Sequence, residues 1–435
     1  MKKKYVRWTL WTIASPFILF IILCILIYLP PIQNFLVDKA AVYASEATGM
    51  NISVGRISLS FPLNLVVTDV DAASPHKDTL LSVRRLQVNV QLLPLLKKQV
   101  EVDGISLQGA TVNSNDLIHG MRLNGTLGEL FISSHGVALD PETAIVNKVL
   151  LKDTDLSLCL NDTAAADTVA SDTTYWKIIL QDIDLQNVSF ALDMPLDSLS
   201  LAASLDNATL RDGLIDLHKS AYSLQTFRIE NGRVRYDSGK PLAADSLSSG
   251  LDPSHIALTD IGVKLDSLYY EGRNMKAIIS QFVLKERSGV EIVSTEGRLV
   301  SNDKVLRVPS LKLETRDSYL ELNAAMDWNA LDFKDEGLVS ARLMADIGKP
   351  DVVRFMGSMD EKFIRKYPSE PLRIRTGIDG DLNKLKLTTL TAELPGALEL
   401  FAKGELTSLT DSLLRGGDIT LQAETKDLKF ISTLA

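Results

Sequence analysis

Ile105-Ser106-Leu107-Gln108-Gly109-Ala110-Thr111-Val112 sets its aliphatic side chains on odd positions and then, past Gly109, on even ones. Alternation of this kind marks a strand with one dry face and one wet face, because successive side chains leave a strand on opposite sides. A change of parity without a long loop requires a bulge or a tight bend. The same slip recurs in Val149-Leu150-Leu151-Lys152-Asp153-Thr154-Asp155-Leu156-Ser157-Leu158 and in Ile183-Asp184-Leu185-Gln186-Asn187-Val188-Ser189-Phe190. Phe227-Arg228-Ile229-Glu230-Asn231-Gly232-Arg233-Val234-Arg235-Tyr236 repeats it, and Ile261–Leu268 is a weaker copy. Gly109, Asp153, Asn187 and Gly232 are the residues suited to making each bend. The copies start at 105, 149, 183, 227 and 261, so the intervals of 44, 34, 44 and 34 suggest a degenerate repeat of 78 residues. A unit that cannot bury its own apolar face implies stacking of successive units.

Outward from these stretches the period stays at two. Leu86, Val88 and Val90 alternate with polar residues, as do Val100 and Val102. Nothing between such segments reads as the regular helices of a βαβ fold, so the body from residue 50 is expected to be mainly β, an elongated antiparallel sheet. Residues 161–174 and 237–255 read as surface loops, small and polar or rich in Ser, Gly and Pro. Between Pro350 and Pro368 a helical period returns through Val352, Phe355, Met356, Met359 and Phe363, which predicts a helical insertion over 349–368. Strand character resumes over 369–435 and still holds at Ala435, the pattern expected of a sheet that another subunit completes or of the front portion of a longer polypeptide.

The N-terminal end is different in kind. Trp8–Leu29 is 22 residues without a charge, preceded by Lys2, Lys3, Lys4 and Arg7. At about 1.5 Å per residue that is helix enough to cross a bilayer core. The basic flank keeps residues 1–7 cytoplasmic and sends the body across. The run exceeds a signal-peptide core and lacks an Ala-x-Ala site, which favours an uncleaved anchor. Residues 31–49 read as a short amphipathic helix, through Ile32, Phe35, Leu36, Ala40, Tyr43, Ala44 and Ala47, with Gly49 as its stop.

Composition excludes several function classes. Of 435 residues, 46 are Lys or Arg against 55 Asp or Glu, a net charge of −9 that speaks against a nucleic-acid partner. Two cysteines, Cys24 and Cys159, cannot make a disulfide framework. The five histidines stand singly, without metal-ligand spacing, so no cofactor or metal is expected. There is no phosphate loop, no dinucleotide fingerprint and no nucleophile elbow. The pairs Asp69 and Asp71, Asp153 and Asp155, and Asp182 and Asp184 could share a strand face as acid and base, but each lies beside a strand start or a slip, where Asp makes turns. The chain does not read as an enzyme.

The basic start, the single anchor, the helix ending at Thr48-Gly49 and then Val54-Gly55-Arg56-Ile57-Ser58-Leu59 resemble the N-terminus of AsmA-like proteins. Leu65–Val70, Asp78–Val83 and Val102–Leu107 continue the likeness, which is greatest to the TamB branch in its Bacteroidetes-type form and strongest over residues 1–113. The resemblance implies a long, curved β groove lined with apolar side chains, standing in the periplasm on an inner-membrane anchor. It further implies a part in moving phospholipid toward the outer membrane or, alternatively, an assembly scaffold for outer-membrane proteins acting with a barrel partner of the Omp85 type. It carries over no catalytic residue, and TamB-like chains are much longer than this one.

A one-sided aliphatic sheet would by itself hold acyl chains without selecting a head group. The residues expected to line it are Ile105, Leu107, Val112, Leu156, Leu158, Ile183, Leu185, Val188, Phe190, Ile229 and Val234. The competing reading is a closed solenoid or sandwich, in which the same residues are ordinary core.

Overall fold

The computed structural model describes residues 39, 41, 42, 45, 46, 49–60, 63–74, 79–91, 102–114, 120–138, 142–161, 175–239, 250–333, 337–356, 361–427, 429 and 430. The expected anchor at 8–29 and most of the expected helix at 31–49 lie outside them. Among the described residues no helix is long and apolar enough to cross a membrane. Residues 39, 41, 42, 45 and 46 are helical, and Gly49, at φ +69°, takes the left-handed conformation that ends a helix.

The protein is mainly β. It divides into two compact units, Met1–Ala166 and Asp167–Ala435, and the division falls within the segment read as a loop over 161–174. The first unit contains β1 (Asn51–Ser60), β2 (Asn64–Ala73), β3 (Thr79–Val90), β4 (Val102–Asn113), β5 (Met121–Ala138) and β6 (Thr143–Leu160). Each strand pairs antiparallel with the next, a six-strand meander.

The second unit holds β7 (Lys177–Met194), β8 (Leu199–Asp216), β9 (Ala221–Leu224), β10 (Thr226–Ser238), β11 (His255–Glu271), β12 (Asn274–Glu286) and β13 (Glu291–Ser301). It continues through β14 (Val305–Thr315), β15 (Tyr319–Asp327), β16 (Leu338–Ile347), β17 (Leu372–Asp381), β18 (Lys384–Leu394), β19 (Leu398–Thr407) and β20 (Gly416–Thr425). β9 and β10 both pair with β8 and with β11, so they are one long strand interrupted at Gln225. From β11 to β20 every strand pairs antiparallel with its successor.

Two corrections follow for the sequence reading, in the loop over 237–255 and in the repeat. Pairing reaches Asp237 and His255, which face each other, so the connection is shorter than the span 237–255. The helical insertion expected over 349–368 holds two short helices, α2 (Lys349–Phe355) and α3 (Glu361–Lys366), and they follow a small α1 (Trp328–Leu331) that the pattern did not suggest. Phe363 enters a buried cluster with Tyr367, Leu394, Ala397 and Phe430, and Val352 packs against it. Phe355, the last residue of α2, and Met356, its C-cap, are exposed. Met359 lies outside the described residues.

The second correction concerns the 44- and 34-residue intervals. Each longer interval spans two strand steps, β4 to β6 and β7 to β10, counting β9 and β10 as one strand. Each shorter one, β6 to β7 and β10 to β11, holds one strand and a long connection. The alternation therefore records connection length within a meander and not stacked modules.

Candidate functional site

The parity slip is a property of whole rungs. In the first unit it falls on Gly55, Asp69, Arg84, Gly109, Gly128 and Asp153, one residue on each strand, and these positions are aligned across the sheet by the register on either side. Asp69, Gly109 and Asp153, on alternate strands, carry positive φ of 56°, 62° and 50°. On β1, β3 and β6 the wet face keeps its side of the sheet by showing two consecutive residues to water: Gly55 and Arg56, Arg84 and Arg85, Lys152 and Asp153. The dry face is therefore continuous through the bend, which explains why the aliphatic residues change parity there. The glycines make room for it. A Cβ on Gly128 would stand 2.8 Å from the Asp153 Cβ, and one on Gly109 would stand 3.1 Å from the Arg84 guanidinium.

The second unit repeats the device twice. One row runs through Asn187, Asp206 and Asn231 to Asp260, with positive φ at Asn187, Asn231 and Asp260. The bend in β10 thus belongs to Asn231, whose φ is 54°, and not to Gly232 as its residue type suggested. Another row passes through Gln181, Asp212, Gln225 and Asp266. Polar pairs gather beside these rows: Asn231 donates to Asp206, Ser280 donates to Asp266, and Lys285 Nζ lies 2.7 Å from Asp260 Oδ2.

Between the slips, side chains on directly opposed residues share a face and form rungs. Leu59, Leu65, Val88, Ile105, Ile132 and Val149 make one rung across six strands. Ile57, Val67, Leu86, Leu107, Leu130 and Leu151 make the next, every member aliphatic. Beyond the slip Val112 and Leu156 flank Gly125, and Leu158 opposes Leu123. The opposite face is mixed: Arg85, Gln108, Glu129 and Lys152 form a charged rung, while Phe131 and Leu150 put apolar groups there too.

In the second unit the structure brings together all six residues expected to line it. Leu185 and Ile229 sit on one rung with Ala208 between them, and Val263 and Phe282 extend it. Phe190 and Val234 flank Ala203; Val188 opposes Leu205, which opposes Gly232. Ile183 leads through Leu210 and Phe227 to Leu265. The candidates thus form one cluster in each unit, five residues in the first and six in the second. Sequence reading missed the partners on β5, β8 and β12; the alternation of Leu123, Gly125 and Leu127 and of Leu201, Ala203 and Leu205 was a usable signal.

Burial separates these rungs from the packed clusters. Ten of the eleven candidates are half-buried and Phe190 is 38% exposed. The buried apolar clusters lie elsewhere in the second unit, around Phe363 and Tyr367 and around Ala330, Val339 and Leu382. A sandwich core would have taken these aliphatic rungs below the exposure of a surface.

The carboxylate pairs resolve into structural roles. Asp69 and Asp153 are slip residues. Asp182 and Asp184 share one cation, Arg211, whose Nε is 3.1 Å from Asp182 and whose Nη2 is 2.6 Å from Asp184. Among the described residues no group of three His, Cys, Asp or Glu side chains is placed to hold a metal. His255 Nδ1 lies 2.9 Å from Asp252 Oδ2 and holds that carboxyl below its ordinary range, with the Ser254 N–H assisting. No known protein-family model matches the chain, and no curated protein matches it.

Proposed function

We propose that this chain is a lipid conduit of the AsmA-like type, TamB branch. In this reading an inner-membrane anchor at residues 8–29 holds a periplasmic body whose curved apolar groove carries phospholipid between the two membranes of a Gram-negative cell. The observation that carries it is the pair of all-aliphatic rungs through Ile105 and Leu107, six strands wide and half-buried. Such a face gains free energy by covering acyl chains, at roughly 25 cal/mol per Å² of apolar surface removed from water. It offers no patterned polar groups that would select one head group.

Native mass spectrometry and lipid extraction of the chain purified from a Gram-negative host test the proposal. Phospholipid is expected to co-purify, and to be lost when Leu107→Asp and Leu185→Asp put charges on the rungs. A folded, lipid-free wild-type protein would remove the conduit and leave the aliphatic face to a protein partner.

A further inference from the structure

In the second unit the dry face does not end with the candidate residues. The rung that starts at Ile183 runs on through Leu265 and Ile279 to Leu322, Leu343 and Thr376, on β15, β16 and β17. Along the way the strands shorten: β7 and β8 have 18 residues, β15 has 9 and β16 has 10. On β7 the slips at Gln181 and Asn187 each put one extra residue on the wet side, which bends the strand toward its dry face. Its outer stretches thereby become walls on either side of Ile183 and Leu185. β15 and β16 pair without a register shift and are too short to build such walls.

Helices stand where those walls are missing. α1 follows β15, and α2 and α3 follow β16, so in this antiparallel pair they lie at opposite ends of the strands. Ala330 of α1 joins Val339 and Leu382 in a buried cluster, with Met326, Ile378 and Leu385 packed against it. Phe363 of α3 joins Leu394 in the other, with Leu372 and Leu398 packed against that one. Met326, Val339 and Leu385 share a dry rung through Gly380, and Leu372 opposes Ile347, so both helices sit on the dry face. α2 is pinned as well. Arg354 Nη1 lies 2.7 Å from Asp317 Oδ2 in the β14–β15 turn, and Lys349 Nζ donates to Tyr367 O at 2.7 Å.

Between the two clusters β16 shows Ala341, Leu343 and Ala345 on the dry face, a span of about 13 Å at about 3.3 Å per residue. Their neighbours are Leu320, Leu322 and Ala324 on β15, and Ile374, Thr376 and Ile378 on β17. None of these is charged or aromatic, and all but the buried Ala345 are half-buried. We propose, resting on the conduit reading above, that this strip between α1 and α3 is a walled site for a phospholipid acyl chain. It continues the groove of β7–β12 past the point where the sheet supplies its own walls, and the alanines lower its floor. An extended polypeptide laid there would bring backbone donors and acceptors that the strip cannot satisfy, whereas a methylene chain brings none.

The test replaces one residue at a time by photoreactive benzoylphenylalanine in the full chain, made in a Gram-negative host, and weighs the adducts formed on illumination. Phospholipid adducts are expected at Leu322, at Thr376 and at Leu185, and none at Arg342 on the wet face of β16. Ala330→Glu, which puts a charge in the α1 wall, is expected to cut the Leu322 and Thr376 adducts several-fold and to leave the Leu185 adduct unchanged. Lipid at Leu185 with none at Leu322 and Thr376 overturns the walled site and leaves the conduit standing. A protein adduct at Thr376 in place of lipid overturns it too, as do Leu322 and Thr376 adducts undiminished by Ala330→Glu. Phospholipid at none of the three positions removes the conduit reading and this site with it.

Discussion

Phe190 and Phe363 belong to the same unit and differ mainly in what covers them, so truncating each to Ala measures whether the rungs are surface or core. Phe190 is 38% exposed, on a rung with Ala203 and Val234. Phe363 is 3% exposed, with the Tyr367 and Phe430 rings at 5.6 and 5.8 Å. A phenyl side chain covers roughly 150 Å² when buried. At Phe190 roughly 90 Å² is covered, which at about 25 cal/mol per Å² sets a ceiling near 2 kcal/mol, and Ala recovers part of that. Phe363→Ala loses the full transfer contribution and leaves a cavity, about 4 kcal/mol in all. Urea unfolding of the two variants, followed by the midpoint with unchanged slope, reads the difference directly. Phe190→Ala is expected to cost at most about 2 kcal/mol and Phe363→Ala roughly twice that. Equal costs, or a loss of about 3 kcal/mol or more at Phe190, would mean a covered rung and would defeat the reasoning from exposure.

Asp351, 1% exposed, accepts from Thr315 Oγ1, from Ser318 Oγ at 2.6 Å and from Arg354 Nη1 at 2.9 Å. Asp351→Ala strands those donors and is expected to cost about 3 kcal/mol in thermal or urea unfolding, whereas Asp351→Asn keeps an acceptor for the hydroxyls and costs less. Gly125 has φ +153° and lies against the Asp155 carbonyl and the Leu156 Cα, so Gly125→Ala is expected to unpair β5 from β6, read as lost amide protection there. Gly49→Ala, with nothing within 4 Å of its Cβ, is expected to cost only about 1 kcal/mol, from the left-handed backbone. Asp252 has its folded pKa lowered by His255, so its contribution is present above the unfolded carboxylate pKa and disappears as pH falls through the folded one. Asp252→Asn is therefore expected to flatten that acid limb in a stability–pH series, and an unchanged slope would count against the pair.

The β class and the dry face were legible because alternation is a local signal and the aliphatic residues obey it from β1 to β19. The parity slip was legible at Gly109, Asp153 and Asn187, since Gly, Asn and Asp are the residues that enter the left-handed region cheaply. In β10 the same rule chose the wrong neighbour, because Asn231 and Gly232 are both competent and only the register decides between them. That the slips align across strands could not be read from any one strand, as alignment is fixed by pairing between segments far apart in sequence. The carboxylate pairs were read as turn-makers, and the partner that Asp182 and Asp184 share, Arg211, was not legible because it lies on the neighbouring strand, 27 residues from Asp184. Phe355 and Met356 fit the helical period but fall at the end of α2, where they stay exposed.

The aligned slips have a consequence for how such a molecule changes over generations. Rungs of nearly interchangeable Leu, Ile and Val would let neighbouring strands slide by two residues with little penalty, since the face is preserved. On β1–β6 a slip on each strand acts as a detent: sliding would set the left-handed Asp69, Gly109 or Asp153 against regular extended backbone. Single-residue insertions are penalised for the same reason, whereas a duplicated hairpin arrives with its own pair of slips already in phase. The first unit can therefore change length by whole hairpins while its alignment stays fixed from one edge to the other.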